Sequence, residues 1–554
     1  MRSKTRRQDR KAADSAAARK QPGAASSQAR ADRKQDSPVT PASAGDGVPW
    51  RRKLVWALAL LVIQATAATW GQFDFSNMMG YYDMFADGLL DGHLYIGFTP
   101  DQVNLVDMIP YQGRYYLQWG PFPVLFHLLA RPLGLTLSDR MVCILAGWLT
   151  ALVFLEILLL LRRRHFAALP PAYCRWFFFA FALGSPAALV TYRGTIYNES
   201  IAIAALAVLL AFLALLRYQE EFTSRWMLLG GACIAAALTT RVTMALYGAI
   251  FFAAAALTLW LAKKPLKQVV QQLAAFAVPV VVGVAVMLAY NQARFGSPLD
   301  YGNSYKPGAS SDFAPFSLLR IPENLRHYLL SLPRISTDFP WIEHAGWLPL
   351  EYTSRAEAMS SLLLGSPFLL LAVFAWRALS PRSTVPANLK VVTAAAALGG
   401  CSMFAVMLLF SAASRRYAHD FVPMFLILAF AGVALLADPG GLWKRWRVAA
   451  WGALVFSALL HAQIAFYQSF HTPTPDLNVI RTFVALNPLV RTVLDGPRAA
   501  EEEAIARNDL GTIYMREGRA EAALEQFEEA ARLQPDSGRI RQNLEVARRR
   551  AGRR

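Results

Sequence analysis

Charged residues are scarce in this chain. Only 17% of the 554 residues are charged, against about 25% in an average protein. Hydrophobic residues make up 55% of the sequence, and the mean hydropathy is positive. The long, nearly uncharged runs that result exclude an ordinary soluble domain. They predict an all-α, polytopic helical membrane protein.

Cysteine is also rare, and the motifs of several common ligands are missing. The four cysteines are widely separated and form no CxxC pair or His/Cys set, so we interpret them as core residues. No Walker-type phosphate loop and no nucleic-acid-binding motif is present, so no nucleic-acid partner is predicted. The sequence predicts no cofactor and no metal ligands, with a divalent cation as the alternative left open.

Positive charge is concentrated at the amino-terminal end. The net charge is +18, and residues 1–53 hold 14 Lys and Arg against 5 Asp and Glu, a net +9. Residues 1–49 are rich in Ala, Ser, Gln, Arg and Lys and have no periodic apolar pattern. They are predicted to form a disordered, basic cytoplasmic tail that sets topology.

Eleven apolar segments follow, and together they predict a transmembrane domain over residues 50–467 with about eleven spans. The segments are 54–71, 139–161, 174–192, 199–216, 226–240, 243–262, 268–290, 359–377, 391–411, 420–437 and 447–467. If the basic tail is cytoplasmic, the even-numbered spans exit at five segments that all carry Lys or Arg. The positive-inside rule therefore predicts a cytoplasmic amino terminus and an external carboxyl terminus.

Two long loops are predicted on the outer side, at 73–138 and 291–357. The first holds six aspartates and only two basic residues. Three of the aspartates, Asp83, Asp87 and Asp91, recur every fourth residue and are predicted to line a solvated helical face. An acidic, aromatic loop beside a membrane span suits removal of a proton from an acceptor hydroxyl.

Several outer-side residues are candidates for ligand binding. Arg241, Arg294 and Arg416 are predicted near outer ends of spans, where the positive-inside rule disfavours arginine. Such charges tend to face a cavity and pair with an anion, and a lipid phosphate is one such partner. Aromatic and acidic neighbours complete the predicted substrate site: Tyr82, Tyr116, Tyr417 and Asp420. The alternative for the tyrosines is an anchoring role at the membrane interface.

These features resemble the polyprenyl-phosphate-sugar-dependent glycosyltransferases of the GT-C superfamily, close to bacterial relatives of protein O-mannosyltransferases. The resemblance covers roughly residues 54–467. It is carried by an acidic loop after the first span and by four motifs in order: "YYDMFADGLLDGHLYI", "YQGRYYLQWGPFP", "YNQARFGSPLDYG" and "RRYAHDF". It implies a multi-pass protein of the bacterial cytoplasmic (inner) membrane, with its active site on the periplasmic face.

In that superfamily the first outer loop supplies the catalytic aspartate just after the first span. Asp74 is the best positional match, although many members carry an adjacent Asp-Glu pair where this chain has Asp74-Phe75. Asp107 is the alternative. The resemblance further implies a polyprenyl-phosphate-linked sugar as donor and inversion at the anomeric carbon, and it leaves the acceptor open between a protein, a lipid and a glycan.

The carboxyl-terminal segment has a different character. Residues 468–504 are predicted to be a linker, and residues 505–550 a tetratricopeptide-like helical hairpin with a capping helix. The characteristic spacing is carried by Leu510, Gly511, Tyr514, Gly518, Ala523, Phe527, Ala530 and Pro535. A single repeat buries its faces poorly, so it is expected to pack on another element or on a protein partner.

Two other functions remain open at this stage. Charges near the membrane also suit a transporter or flippase for lipid-linked sugars, although such proteins usually contain internal repeats and none is evident here. A non-catalytic scaffold that recruits partners through its tail is the other alternative. The long, asymmetric first loop favours a membrane glycosyltransferase.

Overall fold

The structure is a computed structural model. It describes residues 48–76, 80–97, 108–306, 314–335, 341–343, 355–356, 361–470, 476–494 and 497–552. These residues are mostly helical. Short strands occur in the loops and form three two-stranded sheets: β1 with β2, Met108–Tyr111 with Arg114–Leu117; β3 with β4, Arg334–Ile335 with Ile342–Glu343; and β5 with β6, Arg355–Ala356 with Ala412–Ala413.

The α-helices are numbered in chain order. They are α1 Trp50–Ala68, α2 Tyr81–Leu90, α3 Val124–Ala130, α4 Asp139–His165, α5 Pro171–Gly184, α6 Pro186–Tyr192, α7 Ile196–Glu221, α8 Ser224–Thr240, α9 Ala245–Leu261, α10 Leu266–Phe295, α11 Ile321–Leu330, α12 Leu362–Gly365, α13 Trp376–Leu379, α14 Ala387–Leu409, α15 Val422–Ala434, α16 Pro439–Phe470, α17 Leu477–Leu494, α18 Pro497–Arg516, α19 Ala520–Leu533 and α20 Gly538–Arg550. Two 3₁₀-helices matter below, Pro367–Ala375 and Arg415–Asp420.

Each of the eleven predicted apolar segments overlaps at least one helix of the described residues, and the chain is a multi-pass helical membrane protein. By length and composition, six helices in the described residues could each cross a membrane, and seven if the bent pair α5 and α6 is one span. The other predicted spans correspond to shorter or more charged elements. Helix α8 has 17 residues, α15 has 13, and the segment 359–377 is broken into α12 and a 3₁₀-helix. The count of eleven therefore stays a prediction.

The bend between α5 and α6 has a local cause. The two helices meet at an angle of 53°. Ser185 stands between them in an extended conformation, and its hydroxyl accepts a hydrogen bond from the backbone N–H of Ala187. Pro186 follows as the first residue of α6, where its missing N–H costs nothing. A capping serine followed by proline thus ends one helix and starts the next.

Burial separates the centre of the bundle from its lipid-facing surface. In the apolar part of α7, 83% of the residues are buried, against 22% in α10. Large apolar side chains of α10 are more than half exposed, among them Val278, Val281 and Val282. An exposed apolar face of this size is unfavourable in water and favourable in lipid. Helix α7 therefore lies at the core, and α10 faces the membrane.

The carboxyl-terminal segment is helical almost from its start. The described part of the predicted linker, 468–504, contains the last residues of α16, all of α17 and the first residues of α18. Helices α18, α19 and α20 pack together through Phe527, Leu524 and Leu544. A Cβ atom at Gly511 would lie 2.8 Å from the Phe527 ring, so only glycine permits this approach of α18 and α19. The assignment to the tetratricopeptide class stays a prediction.

Candidate active site

Asp74 follows the first helix after a short turn with an unusual backbone. Trp70 and Phe73 both have a positive φ of 52°, and Gly71 between them has a φ of 76°. Residues other than glycine seldom occupy this left-handed region, at a cost of about 1–3 kcal/mol each. Contacts from other elements must therefore hold the turn that presents Asp74.

The carboxylate of Asp74 has one partner on each oxygen. Its Oδ1 accepts a hydrogen bond of 2.9 Å from the backbone N–H of Ser76, and Oδ2 lies 3.2 Å from Nη1 of Arg481. Burial raises the pKa of Asp74, but the hydrogen bonds from Ser76 and the charges of Arg481 and Arg140 outweigh this, so the pKa lies below its ordinary value. The side chain is 30% exposed. An ionised, accessible carboxylate meets the first requirements of a general base.

The other aspartates of the first loop differ in their surroundings. Asp107, the alternative base, lies outside the described residues. Asp83 is not part of a solvated stripe as predicted: its side chain is 15% exposed and lies 3.1 Å from Arg131. Asp87 is 59% exposed and contacts the same arginine at 2.8 Å. Asp91 stands just beyond α2 as its C-cap and not on the helical face.

Four predicted residues meet where α8 ends: Arg241, Arg416, Tyr417 and Asp420. Nη2 of Arg241 lies 2.6 Å from Oδ2 of Asp420. The guanidinium carbons of Arg241 and Arg416 lie 5.6 and 5.5 Å from the ring centroid of Tyr417. We call these four residues the arginine–tyrosine group. In this group, two guanidiniums lie against the Tyr417 ring, and the Asp420 carboxylate pairs with one of them.

Asp420 uses only part of the Arg241 guanidinium. The Arg241 side chain is 16% exposed, whereas that of Asp420 is fully buried. The Nε–H of Arg241 is buried and has no hydrogen-bond partner among the described residues. A buried donor without a partner costs about 1–3 kcal/mol. This edge of the guanidinium is therefore suited to an anionic ligand.

The first long loop lies directly against the arginine–tyrosine group. Backbone N–H groups of Gly120 and Phe122 donate to the carbonyls of Thr240 and Thr239, at 3.2 and 3.4 Å, just before Arg241. A Cβ atom at residue 120 would lie 1.9 Å from the Thr239 carbonyl oxygen, so the approach requires glycine. The hydroxyl of Tyr82 donates to the Gly120 carbonyl at 3.1 Å, which brings a fifth predicted residue to this region.

An aromatic pair extends the group towards α7. The guanidinium of Arg416 lies 4.7 Å from the ring centroid of Tyr197, and Tyr197 meets Trp119 edge-on at 5.1 Å. Sequence reasoning did not select Tyr197 or Trp119. Flat aromatic faces beside cations are suited to both a sugar ring and a lipid boundary.

Arg294 and Tyr116 lie together, packed on strand β2. The guanidinium of Arg294 donates to the carbonyl of Leu117 at 2.7 Å and to the side chain of Asn291 at 2.8 Å. Tyr116 packs edge-on against Phe295 at 5.5 Å. Arg294 is buried, and these bonds commit it to internal packing. We therefore leave Arg294 and Tyr116 out of the phosphate site proposed below.

The sequence reasoning missed a buried cluster at the start of α4 and α7. Nε2 of His127 lies 3.0 Å from Glu199, and Nδ1 lies 3.5 Å from Asp83. Burial lowers the pKa of His127 although the Asp83 carboxylate opposes this. Asp139 accepts a hydrogen bond from the Gly80 backbone at 3.2 Å. The sequence did contain a signal for this cluster, because Asp139 and Glu199 are each the first or nearly the first residue of an apolar segment.

A second missed contact joins the membrane domain to the tail. Nη2 of Arg140 lies 2.9 and 3.0 Å from the two carboxylate oxygens of Asp476, and both side chains are almost completely buried. Nη1 of Arg140 donates to the carbonyl of Ala68, the last residue of α1, at 2.7 Å. Asp476 falls within the predicted linker, so no local pattern indicated the pair.

Within the described residues, no group of three or more His, Cys, Asp or Glu side chains is placed to hold a metal ion. The expectation of a reaction without a cofactor stays a prediction.

Comparisons with known proteins give a likeness of fold. No family model and no curated protein matches the sequence. Among solved structures, the chain is similar to ArnT from Cupriavidus metallidurans in the apo state, with 14% identity over 90% of this chain and 76% of that one, at a TM-score of 0.45. The same enzyme bound to undecaprenyl phosphate gives a TM-score of 0.43, with 14% identity over 91% of this chain and 78% of that one.

A second similar protein is the archaeal oligosaccharyltransferase AglB from Archaeoglobus fulgidus, in complex with an inhibitory peptide and a dolichol-phosphate. The TM-score is 0.42, with 13% identity over 83% of this chain. The match spans 60% of the length of that enzyme.

Proposed function

We propose that the protein is an integral membrane glycosyltransferase that transfers a sugar from a polyprenyl-phosphate-linked donor to an acceptor hydroxyl on the outer face of the membrane. The observation that carries the proposal is the arginine–tyrosine group. Two arginines far apart in sequence bring their guanidiniums to one tyrosine, beside the first long loop. One of them, Arg241, has a buried Nε–H without a hydrogen-bond partner among the described residues.

The proposed reaction is a single displacement. The acceptor hydroxyl loses its proton to Asp74 as its oxygen forms a bond to the anomeric carbon of the donor. The bond between that carbon and the phosphate oxygen breaks, and the polyprenyl phosphate leaves with the electron pair. Arg241 and Arg416 stabilise the negative charge that develops on the departing phosphate. Inversion at the anomeric carbon is what the superfamily resemblance implies.

The base and the phosphate site are connected through α4. Asp74 lies within electrostatic range of Arg140, in the first turn of α4. The neighbouring Asp139 binds the backbone of Gly80, two residues before Tyr82. Tyr82 in turn reaches Gly120 beside Arg241.

The donor class is tested with the purified protein in lipid nanodiscs. A panel of undecaprenyl-phosphate-linked hexoses is supplied with an extract of candidate acceptors, and release of undecaprenyl phosphate is measured. We expect release from at least one donor. If undecaprenyl phosphate neither binds nor is released from any donor, the glycosyltransferase proposal is wrong, and the scaffold alternative gains.

Replacing Arg241 or Arg416 by lysine is expected to weaken undecaprenyl phosphate binding about tenfold, since lysine keeps the charge but loses the planar fork that grips a phosphate. The donor KM should rise in parallel. Titration by native mass spectrometry measures the binding directly. Arg163→Lys is the matched control, because Arg163 is exposed and pairs with Glu220 elsewhere on the molecule. Unchanged binding in both variants would assign Arg241 and Arg416 to structural pairing instead.

We further propose a cytoplasmic amino terminus and a periplasmic carboxyl terminus in the bacterial inner membrane. The basic exits of the even-numbered spans support this orientation. Reporter fusions at residues 50 and 480 are expected to lie on opposite sides of the membrane. A fluorescent protein that folds only in the cytoplasm should be fluorescent at residue 50, and alkaline phosphatase, which is active only in the periplasm, should be active at residue 480. Two reporters on the same side would contradict the topology.

A further inference from the structure

Helix α17 forms a support for the turn that carries Asp74. The side-chain amide of Asn478 donates to the Asp74 carbonyl at 2.7 Å. The hydroxyl of Thr482 donates to the Trp70 carbonyl at 3.0 Å. Asn478 is itself buried, and its backbone N–H is fixed at 3.0 Å by Asp476. The tail therefore bonds the backbone at the start and at the end of the turn.

Apolar packing reinforces these bonds. The Trp70 indole lies edge-on to Phe466 at 4.9 Å and packs against a small core that includes Val479, Ile480 and Phe483. Two non-glycine residues of the turn have positive φ angles. Their conformation is unfavourable in isolation, so the contacts with α17 supply what holds the turn in place.

A charged contact from α17 goes to the carboxylate of Asp74. Nη1 of Arg481 lies 3.2 Å from Oδ2 of Asp74, and both side chains are partly exposed. On its other side, the Arg481 guanidinium lies 5.9 Å from the ring centroid of Tyr514, in α18. A continuous line of contacts thus runs from the helical hairpin of the tail through Arg481 to the candidate base.

We propose that Arg481 is a positioning residue for Asp74, and that α17 is thereby part of the active site. The inference rests on the proposed function, in which Asp74 is the base. Arg481 fixes one carboxylate oxygen and keeps the group ionised, while Ser76 binds the other oxygen. The remaining lone pairs of the carboxylate are left for the acceptor hydroxyl.

The charges around Asp74 allow this effect to be isolated. Arg481 and Arg140 are the cations that favour its ionised form. Arg140 is bound to Asp476 by two short contacts, so its charge is largely compensated. Replacing Arg481 therefore removes the main uncompensated cation and leaves the buried Arg140 pair intact.

The test follows the ionisation of Asp74 directly. Carbodiimides react with protonated carboxyl groups, so labelling of Asp74 by a water-soluble carbodiimide, read by peptide mass spectrometry across a pH series, reports its pKa in the full-length protein. Arg481→Gln is expected to raise the pH of half-labelling by roughly one pH unit, as loss of an adjacent guanidinium does for an aspartate. Arg481→Lys should restore most of the original value.

Arg519→Gln is the matched control, because Arg519 lies 4.3 Å from the same Tyr514 ring and pairs with Glu517 at 3.3 Å rather than with Asp74. Its half-labelling pH should equal that of the unmodified protein. An unchanged half-labelling pH in Arg481→Gln, or an equal rise in Arg519→Gln, would overturn the proposal.

The acidic limb of the pH profile of kcat/KM should shift together with the half-labelling pH, to higher pH in Arg481→Gln. A further outcome separates the two proposals. If Arg481→Gln raises the half-labelling pH but Asp74→Asn retains full turnover, Asp74 is not the base, although Arg481 still positions its carboxylate.

Discussion

Replacing Asp74 by asparagine is expected to lower turnover by about 10²–10⁴-fold without loss of expression, the usual cost of removing a general base. Asparagine has nearly the same shape, and its one amide oxygen can accept a hydrogen bond from Ser76 or from Arg481 but not from both, and it cannot take a proton. The measurement is the rate of undecaprenyl phosphate release in nanodiscs at saturating donor. Because the change affects proton transfer, the donor KM should stay close to its original value.

Two further aspartates of the same loop serve as controls. Asp87→Asn and Asp91→Asn should lose little turnover, since the Asp87 side chain is mostly exposed and Asp91 only caps α2. If Asp74→Asn keeps near-normal turnover and Asp107→Asn does not, Asp107 is the base. If neither substitution matters, the enzyme proposal fails.

Replacing Arg140 by glutamine is expected to give the largest loss of stability of any single ionic substitution discussed here. The Arg140 and Asp476 side chains are 2% and 1% exposed. Removing one partner of a buried pair leaves an uncompensated charge, at a cost of about 3–5 kcal/mol. The unfolding midpoint of the purified protein in detergent, followed by intrinsic fluorescence, should fall markedly.

The comparison for Arg140→Gln is Arg163→Gln, which breaks an exposed pair with Glu220. Exposed ion pairs contribute about 0–1 kcal/mol, so this variant should unfold near the original midpoint. The double variant Arg140→Met/Asp476→Leu should recover part of the loss, because it removes both charges. Equal midpoints for Arg140→Gln and Arg163→Gln would show that the buried pair is not a main link between the membrane domain and the tail.

Helix positions in this protein could be predicted from local sequence, and the failures have specific causes. Each of the eleven apolar segments overlaps a helix of the described residues, because a run of apolar residues is a local property that both lipid and the bundle core favour. The bend at Ser185 and the 3₁₀ stretch Pro367–Ala375 were not predicted, since both depend on capping and on neighbouring helices. The predicted linker contains α17, whose apolar face is buried against Trp70, Phe466 and α18, all distant in sequence or predicted to belong to other segments.

The candidate site divides in a similar way. Sequence reasoning selected Asp74 and the arginine–tyrosine group by residue type and by position next to apolar segments, which requires no knowledge of the fold. It also selected Arg294, whose guanidinium donates to Leu117 and Asn291 in the structure, so its role as a phosphate ligand stays a prediction. The buried partners Glu199 and His127 were missed.

The sequence by itself determined that the chain is a helical membrane protein, where its apolar segments lie, and which loop is acidic. These properties are additive over neighbouring residues, so composition and spacing reveal them. Only the tertiary structure decided that Arg241 meets Asp420, that Arg140 meets Asp476, and that Arg481 reaches Asp74. Each pair joins residues from distant parts of the chain. The packing of whole helices determines which charges are buried together, and no local sequence pattern encodes that packing.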